Sequence, residues 1–313
     1  MVENFKKPAF LFPGQGAQYS GMALDFYEAS SGVKDLFSIA GEICGMNMKK
    51  LLSEDGEVLK KTETAQIAVT LANLSAAAFL AERGVRCAAA AGHSLGEYAA
   101  LREAGVISVE DCFALVRERG AAMGAASGIP DGAGMAAVLG LPPDKVRELV
   151  LLWTQEGLSG LFAANYNSPG QTVVSGVAEA LKEAESRFKE AGAKRFVPLK
   201  VSGPFHSPLL AGAAEVFSRF LETVHFNEPK TPVFSNVTGK RIQTAAEAKK
   251  LCVLQITSPV QWTLCCAGVA SCGVDGAYET GPGRTLRGLW ADAGMSVPCR
   301  PAGKVSDYDA DFK

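Results

Sequence analysis

The sequence has few of the residues that would build a metal site or a disulfide framework. Its 313 residues include only three histidines, and none of the eight cysteines forms a C-x-x-C pair. Zinc sites and disulfide frameworks are recognised by such clusters and spacings, so we expect neither a bound metal nor disulfide bonds. We interpret the cysteines as reduced thiols, most of them buried as small hydrophobic residues.

Excess charge of one sign and long apolar runs are also lacking. The formal net charge is −2, from 31 basic and 33 acidic residues, whereas nucleic acids and anionic membranes attract a basic face. No run of about 18 apolar residues occurs, so the sequence indicates no transmembrane helix. The apolar run after Lys6 and Lys7 ends at Pro13 and Gly14, which makes it too short for the hydrophobic region of a signal peptide. We therefore expect no nucleic-acid partner, no membrane partner and a cytoplasmic location.

The first glycine-rich loop lacks the complete pattern of a nucleotide site. It runs over residues 14–18, directly after an apolar strand pattern, but a dinucleotide fingerprint requires a third glycine where Tyr19 stands. The sequence also has no Gly-Lys followed by Ser or Thr, so a phosphate loop is excluded. Nucleotide binding is therefore disfavoured here, and a flexible turn stays open as the alternative interpretation of this loop.

The most informative motif that is present is Gly-x-Ser-x-Gly at residues 92–96. In this motif the serine lies on a sharp turn between a strand and a helix, so that its hydroxyl is exposed as a nucleophile. The glycines are needed because side chains there would meet the neighbouring backbone. Residues 85–91 must then form the strand, although the alanines at 88–91 have poor strand propensity. The motif predicts Ser94 as a nucleophile.

Apolar residues at helical spacing predict most of the other elements outside the central part of the chain. They indicate helices at residues 25–44, 64–83, 95–104, 108–126, 208–224, 245–254 and 262–272. Short apolar segments predict strands at residues 8–12 and 276–279, and a strand followed by a turn within residues 233–239.

A segment rich in glycine and proline precedes a change of pattern. Beyond it, strand and helix signals follow in the order β-α-β-β-α-β, which is typical of a ferredoxin-like unit. We predict an α/β fold, with an α/β-hydrolase-like large domain that contains a parallel sheet (residues 1–127 and 201–303) and an inserted ferredoxin-like small subdomain (residues 128–200). Residues 304–313 are polar and are predicted to form an exposed, flexible tail.

A serine nucleophile needs a base, which is usually histidine. His93 adjoins Ser94, but neighbouring side chains on a turn diverge, so we interpret His93 as a packing residue. His225 ends a predicted helix and is interpreted as a surface or capping residue. His206 remains, on a loop where the chain returns from the inserted subdomain and can reach a cleft between the two parts.

No acidic residue stands out as the partner of this histidine. Asp131 and Asp144 could serve formally, but both lie in or beside the inserted subdomain. We therefore expect a dyad of Ser94 and His206, in which a backbone carbonyl orients the imidazole ring.

Seven segments, in the same order along about residues 8–290, closely resemble the malonyl-CoA:acyl carrier protein transacylases of fatty acid synthesis. Any one of these motifs could be accidental, but their joint occurrence is highly specific. The segments are residues 11–18, 92–98, 119–120, 164–171, 204–207, 259–262 and 279–283.

The resemblance implies a role for each matching residue. Ser94 would carry the acyl group and His206 would be its general base, held by the main-chain carbonyl of Gln255. The N–H groups of Gln15 and Leu95 would form the oxyanion hole, and the flanking glycines would let the first loop approach the turn.

The resemblance also implies that Arg119 binds the malonyl carboxylate. A planar guanidinium donates two parallel hydrogen bonds to a carboxylate, which suits this task. Arg117 competes for it, but two helical residues differ by about 200° of rotation, so only one can face the pocket; the family's Arg-Gly pair selects Arg119. Phe205 would limit the room at the α-carbon of the acyl group. Asn165 and Gln66 are candidate pocket neighbours, and a purely structural role for these two residues stays open.

The implied function is transfer of a malonyl group from malonyl-CoA to the phosphopantetheine thiol of acyl carrier protein, through a malonyl-serine intermediate. This would supply fatty acid synthesis. No bound cofactor is expected, because phosphopantetheine is carried by the partner, and we expect the chain to be a monomer. Two alternatives stay open: a serine esterase or thioesterase with the same dyad, and a non-catalytic acyl-carrier binding module.

Overall fold

The structure is a computed structural model that describes residues 5–53, 56–126 and 128–309. The described residues form nine strands, which are β1 (Pro8–Phe12), β2 (Ala89–Gly92), β3 (Gly134–Leu139), β4 (Leu161–Ser168), β5 (Gln171–Gly176), β6 (Arg195–Pro198), β7 (Val233–Phe234), β8 (Gly276–Glu279) and β9 (Cys299–Pro301).

The helices in these ranges cover most of the remaining chain. They are α1 (Leu24–Ala29), α2 (Ser31–Cys44), α3 (Met48–Ser53), α4 (Thr62–Glu82), α5 (Gly96–Glu103), α6 (Val109–Gly124), α7 (Pro143–Gln155), α8 (Ala178–Glu190), α9 (Ala211–Leu221), α10 (Ala245–Leu254), α11 (Trp262–Ser271), α12 (Thr285–Asp292) and α13 (Ser306–Asp309). Two turns of 3₁₀-helix lie at Val58–Lys60 and Pro208–Leu210.

One sheet is parallel, with strand order β7-β2-β1-β8-β9. Its central strand β1 is buried along its whole length. Phe10 and Phe12 enter one core cluster, whereas Ala9 and Leu11 enter a second one on the opposite face. Because successive side chains of a strand point to opposite faces, both faces of this sheet are covered, as is usual for parallel sheets.

The second sheet is antiparallel, with strand order β4-β5-β3-β6. Its strands and the helices α7 and α8 follow one another as β-α-β-β-α-β, and a separate core cluster containing Trp153 and Phe188 lies between them. The predicted α/β fold class, a parallel sheet with an inserted ferredoxin-like unit, is confirmed. The domain limits at residues 128 and 200 stay predictions.

The turn between β2 and α5 is extremely crowded. A Cβ atom on Gly92 would lie 2.0 Å from the Gly96 carbonyl oxygen, and one on Gly96 would lie 2.0 Å from the Phe12 carbonyl oxygen. Strand β2 begins at Ala89 instead of residue 85, because the Val85 N–H still closes the end of α4 by bonding to the Leu80 carbonyl at 3.1 Å. The alanines of β2 are fully buried, so their small side chains allow this close packing.

The prediction of one helix over residues 25–44 is wrong. Ser30 adopts an extended conformation, with φ −140° and ψ 130°, and separates α1 from α2. Its hydroxyl oxygen accepts a hydrogen bond from the Val33 N–H at 3.1 Å, so Ser30 is the N-cap of the second helix. The cap satisfies a backbone donor that would otherwise lack a partner.

The prediction of an exposed tail from residue 304 is wrong for the part that the structure describes. Residues 306–309 form the short helix α13, and Tyr308 is only 3% exposed. The Tyr308 ring packs against Phe26 and Phe79, at centroid distances of 6.1 Å and 5.0 Å. One aromatic residue therefore anchors an otherwise polar segment; residues 310–313 lie outside the described residues.

Helix α4 is long and apolar enough to cross a membrane by length and composition alone. In the fold, 83% of its most apolar window is buried. A helix that is apolar on all sides is expected at the centre of a core as well as in a membrane. Here α4 is a central helix of the core.

We expect Gly92→Ala to lower the free energy of unfolding by at least about 3 kcal/mol, because the new Cβ would collide with the Gly96 backbone. The matched control is Gly212→Ala in α9, where a Cβ meets no atom within 4 Å. This control should leave stability unchanged or raise it by up to about 1 kcal/mol. Urea unfolding of the two variants measures the difference, and equal effects would contradict the crowding argument.

Candidate active site

Ser94 lies at the tip of the crowded turn, in a backbone conformation that is unusual for a residue with a side chain. Its φ is +52°, and such strained conformations persist only where the surroundings impose them. The Ser94 N–H donates to Asn236 Oδ1 at 2.6 Å, while Asn236 Nδ2 donates to the Gly92 carbonyl at 2.7 Å. Asn236 therefore clamps both sides of the turn and holds the serine in place.

His206 is in direct contact with this serine. The distance between Ser94 Oγ and His206 Nε2 is 2.7 Å, and His206 Nδ1 lies 2.9 Å from the carbonyl oxygen of Gln255. A carbonyl can only accept, so Nδ1 carries the proton and Nε2 is free to accept the serine proton. The structure thus brings together the three residues that the sequence suggested, with a main-chain carbonyl in the orienting position.

The two aspartates considered as alternatives do not contact the histidine. Asp144 is exposed at the start of α7, where it pairs with Arg147 at 2.9 Å, and Asp131 is also exposed. Burial lowers the pKa of His206 from its usual value to about 3, and the nearby positive charge of Arg119 acts in the same direction. The imidazole is therefore neutral, and able to act as a base, throughout the physiological pH range.

Arg119 projects from α6 into the same site and is 1% exposed. Its guanidinium donates to Gln66 Oε1 at 2.8 Å and to Gln255 Oε1 at 3.0 Å, and lies 3.4 Å from Ser94 Oγ. Within the described residues these hydrogen bonds go to neutral groups and none goes to a carboxylate. A buried guanidinium without a direct anionic partner is well suited to bind a carboxylate from a ligand.

Arg117 lies on another side of α6. Its guanidinium contacts Glu118 and donates to the Ile43 carbonyl, and its side chain is 38% exposed. The helical rotation between the two arginines thus separates them as expected.

The oxyanion hole that the sequence predicts would be formed by two backbone N–H groups, one from the first loop (Gln15) and one from the serine turn (Leu95). A Cβ on Gly14 would be 2.3 Å from the His93 carbonyl and 3.5 Å from the Leu95 nitrogen, so the first loop touches the turn. In the part of the chain that the structure describes, no group accepts a hydrogen bond from the N–H of Gln15 or of Leu95. Both donors remain available for an oxygen that develops negative charge near Ser94.

The side chain of Gln15 fixes the first loop from the other side. Its amide donates to Thr62 Oγ1 at 3.2 Å, and the hydroxyls of Thr62 and Ser202 are 2.6 Å apart. This chain of hydrogen bonds joins the first loop, the start of α4 and the segment that returns from the second sheet. The loop that carries one of the two N–H donors is therefore tied to both walls of the cleft.

The cleft between the two sheets has a volume of about 260 Å³. Phe205 and Asn165, both predicted pocket residues, line it together with Ser94, His206 and Arg119. Apolar side chains form much of the remaining wall. They include those of Met123, Met135, Val173, Leu199, Val201 and Leu286. Such a wall excludes water from the acyl group of a bound ligand.

The other two histidines do not reach the serine hydroxyl. His93 Nε2 lies 2.8 Å from Asn167 Oδ1, and its ring packs edge-on against Trp262 at 5.4 Å between centroids. His225 is exposed and lies 3.2 Å from Asn227 Oδ1. Both positions agree with the interpretation of these residues as packing and surface groups.

Two residues of the site were missed from the sequence. Asn236 follows the short strand β7, and polar residues at the carboxyl ends of parallel strands often reach a binding site; that position was the available signal. Glu97 lies in the first turn of α5, is 2% exposed and accepts hydrogen bonds from the Gln255 amide and the Asn236 N–H. Nothing local distinguishes it from an ordinary acidic residue at a helix start.

Because His206 is already neutral, we expect the reaction of Ser94 with a fluorophosphonate reagent to proceed at a nearly constant rate between pH 5 and pH 8. A histidine with its ordinary pKa of about 6.5 would lose most of its activity as a base over this range as the pH falls. Stopped-flow or mass-spectrometric rates measure this directly, with His206→Ala as the control that should react far more slowly. A rate that falls with a midpoint near pH 6.5 would contradict the neutral base.

Comparison with known proteins agrees with this geometry. The model of the acyl transferase domain family matches residues 9–280. The malonyl CoA-acyl carrier protein transacylase of Bacillus subtilis is 39% identical over 285 residues, which cover 90% of this chain and 89% of that protein.

Solved structures give the same result. The malonyl-CoA:acyl carrier protein transacylase from Xanthomonas oryzae aligns over 99% of this chain and 98% of its own, with TM-score 0.90 and 37% identity. A malonyl-transacylase in complex with its type II PKS acyl-carrier protein aligns over 97% and 98%, with TM-score 0.91 and 34% identity. The resemblance found in the sequence is confirmed: the chain is an acyltransferase that belongs to the acyl transferase domain family, among the malonyl-CoA:acyl carrier protein transacylases.

Proposed function

We propose that this enzyme transfers a malonyl group from malonyl-CoA to the phosphopantetheine thiol of an acyl carrier protein, and so supplies fatty acid synthesis. The observation that carries the proposal is the 2.7 Å contact between Ser94 Oγ and His206 Nε2, next to a buried guanidinium that has no carboxylate partner among the described residues. A nucleophile and a carboxylate clamp in one cleft suit an acyl group that ends in a carboxylate.

In the first half of the reaction, Ser94 Oγ attacks the thioester carbonyl of malonyl-CoA while its proton moves to His206 Nε2. The N–H groups of Gln15 and Leu95 stabilise the negative charge that develops on the carbonyl oxygen. The carbon–sulfur bond then breaks, and the departing sulfur of CoA takes the proton from His206. The product is a malonyl ester of Ser94.

In the second half, the thiol of the carrier protein attacks this ester. His206 accepts the thiol proton and returns it to Ser94 Oγ as the ester bond breaks. One thioester is exchanged for another, so the overall reaction is close to balance and reversible. No additional cofactor takes part, because the carrier protein brings its own phosphopantetheine.

Arg119 would hold the malonyl carboxylate by two parallel hydrogen bonds, and Phe205 would limit the room at the α-carbon. Asn165 also lines the pocket. The Arg119 guanidinium lies 3.4 Å from Ser94 Oγ, so a short acyl chain can span from a carboxylate bound to Arg119 to the nucleophile. The apolar lining keeps water away from the ester, which is what separates a transferase from an esterase.

The carrier protein is the proposed partner, and the cytoplasm is the proposed location. Eight unpaired cysteines are compatible with a reducing compartment. The related structure with a bound acyl-carrier protein supports the choice of partner.

We expect wild-type protein mixed with malonyl-CoA to gain the mass of one malonyl group, and to lose it when a carrier protein with phosphopantetheine is added. Intact-mass spectrometry follows both steps, and Ser94→Ala should give no adduct. An adduct that disappears at the same rate without a carrier protein would favour an esterase. No adduct on the wild type would favour a non-catalytic binding module.

We expect Arg119→Ala to lower kcat/KM for malonyl transfer by about 100- to 1000-fold, because a buried charge-assisted pair with the substrate is lost. Acetyl transfer, which has no carboxylate to bind, should fall by less than about tenfold. Arg117→Ala is the matched control on the same helix and should change neither rate by more than about twofold. Steady-state kinetics with both acyl-CoA substrates decides, since equal losses for malonyl and acetyl groups would argue against a carboxylate clamp.

A further inference from the structure

The Gln255 side chain lies between two groups of opposite charge. Its carbonyl oxygen accepts a hydrogen bond from the Arg119 guanidinium at 3.0 Å, and its amide nitrogen donates to the Glu97 carboxylate. The same nitrogen donates to the Ser94 carbonyl at 2.9 Å. Gln255 thus links the buried Glu97 carboxylate to the buried Arg119 guanidinium through one neutral amide.

Glu97 has little other compensation for its charge. The Asn236 N–H donates to its second carboxylate oxygen at 3.2 Å and the Ser235 side chain adds a further hydrogen bond, but no lysine or arginine in the described residues contacts it directly. Burial raises the pKa of this carboxyl group to about 7, although hydrogen bonds and the Arg119 charge act in the opposite direction. Both protonation states of Glu97 are therefore accessible near neutral pH.

The titratable groups that face Glu97 come from four helices. They are Arg119 from α6, Tyr98 from α5, Cys252 from α10 and Cys265 from α11. Burial raises the pKa of the Tyr98 hydroxyl and of both thiols, so these three groups are neutral at pH 7. Arg119 is accordingly the one charged group that Glu97 faces in the described part of the chain.

A bound substrate carboxylate changes this balance. In the empty site the charges of Arg119 and Glu97 compensate each other across the Gln255 amide. When the substrate carboxylate binds to Arg119, the region holds two negative charges, on the substrate and on Glu97, and one positive charge, on Arg119. Water is excluded from this region, so the two like charges repel strongly. The simplest relief is protonation of the carboxylate that remains inside the protein.

We propose that Glu97 is a positioning residue that holds the Gln255 amide, and that its carboxylate becomes more fully protonated, by proton uptake from solvent, when a carboxylated acyl group binds to Arg119. The proton joins one Glu97 oxygen, and no covalent bond to the substrate is involved. This inference rests on the proposed function, because it requires that Arg119 binds the acyl carboxylate. It adds that binding of a malonyl group, unlike that of an acetyl group, is linked to pH.

The same contact gives Glu97 an influence on the base. The Gln255 main-chain carbonyl orients His206, and the Gln255 side chain is held by Glu97. Loss of this hydrogen bond would alter both the carboxylate clamp and the orientation of the imidazole. A merely structural role would affect stability but would not couple substrate binding to a proton.

The decisive measurement is calorimetric binding to the Ser94→Ala variant, which cannot be acylated, in several buffers of different ionisation enthalpy. At pH 7.5 we expect binding of malonyl-CoA to take up about 0.5 proton more per site than binding of acetyl-CoA, because the substrate carboxylate raises the pKa of Glu97 further. The acetyl-CoA control removes any contribution from the CoA phosphates. Equal proton uptake for both ligands would overturn the inference, whereas failure of malonyl-CoA to bind at all would overturn the proposed function as well.

A second measurement identifies the group that takes up the proton. Adding Glu97→Gln to the Ser94→Ala variant should remove the malonyl-specific uptake while malonyl-CoA still binds; persistence of the uptake would exclude Glu97. In the active enzyme, the ratio of kcat/KM for malonyl to acetyl transfer should fall by about three- to tenfold between pH 6.5 and pH 8.5, since protonated Glu97 favours the malonyl group. A constant ratio in the wild-type enzyme would also overturn the inference, and this test requires no substitution of Glu97.

Discussion

The close approach of the first loop to the turn after β2 is the constraint on which the site depends. The Phe12 carbonyl lies where a Cβ on Gly96 would be, and the Gly14 backbone lies against the His93 carbonyl. Parallel pairing of β1 with β2 brings the ends of both strands to the same edge of the sheet. The serine hydroxyl and two backbone N–H groups therefore meet within one short region, and this requires glycine at each point of contact.

Electrostatics around Arg119 follow a second principle. The guanidinium is buried, which is costly unless its donors are satisfied, and side-chain amides from Gln66 and Gln255 provide acceptors without neutralising its charge. The opposite charge, on Glu97, is kept one amide away. The positive charge is thereby stabilised in the protein and still available to a ligand, while the nearby His206 remains a neutral base.

Much of this could be predicted from the sequence because the signals are local. The Gly-x-Ser-x-Gly motif indicates the turn, and the elimination of His93 and His225 leaves His206. The β-α-β-β-α-β order follows from periodicity alone. The choice of Arg119 over Arg117 needed the family resemblance, because a charged residue on a helix looks the same whether it faces solvent or a cleft.

The rest could not be predicted because it depends on contacts between distant parts of the chain. Asn236 and Glu97 acquire their roles only when the segment after β7 reaches the serine turn. Tyr308 is buried because its ring packs against Phe26 and Phe79, which are more than 200 residues away in the sequence. The sequence separations are large: Ser94 bonds to His206, Asn236 and Gln255, which follow it by 112, 142 and 161 residues. During synthesis on the ribosome the nucleophile is therefore made long before its base and the clamps of its turn, and contacts of such long range form late in folding. A partly synthesised chain carries an ordinary serine, and reactivity arises only when nearly the whole chain has folded.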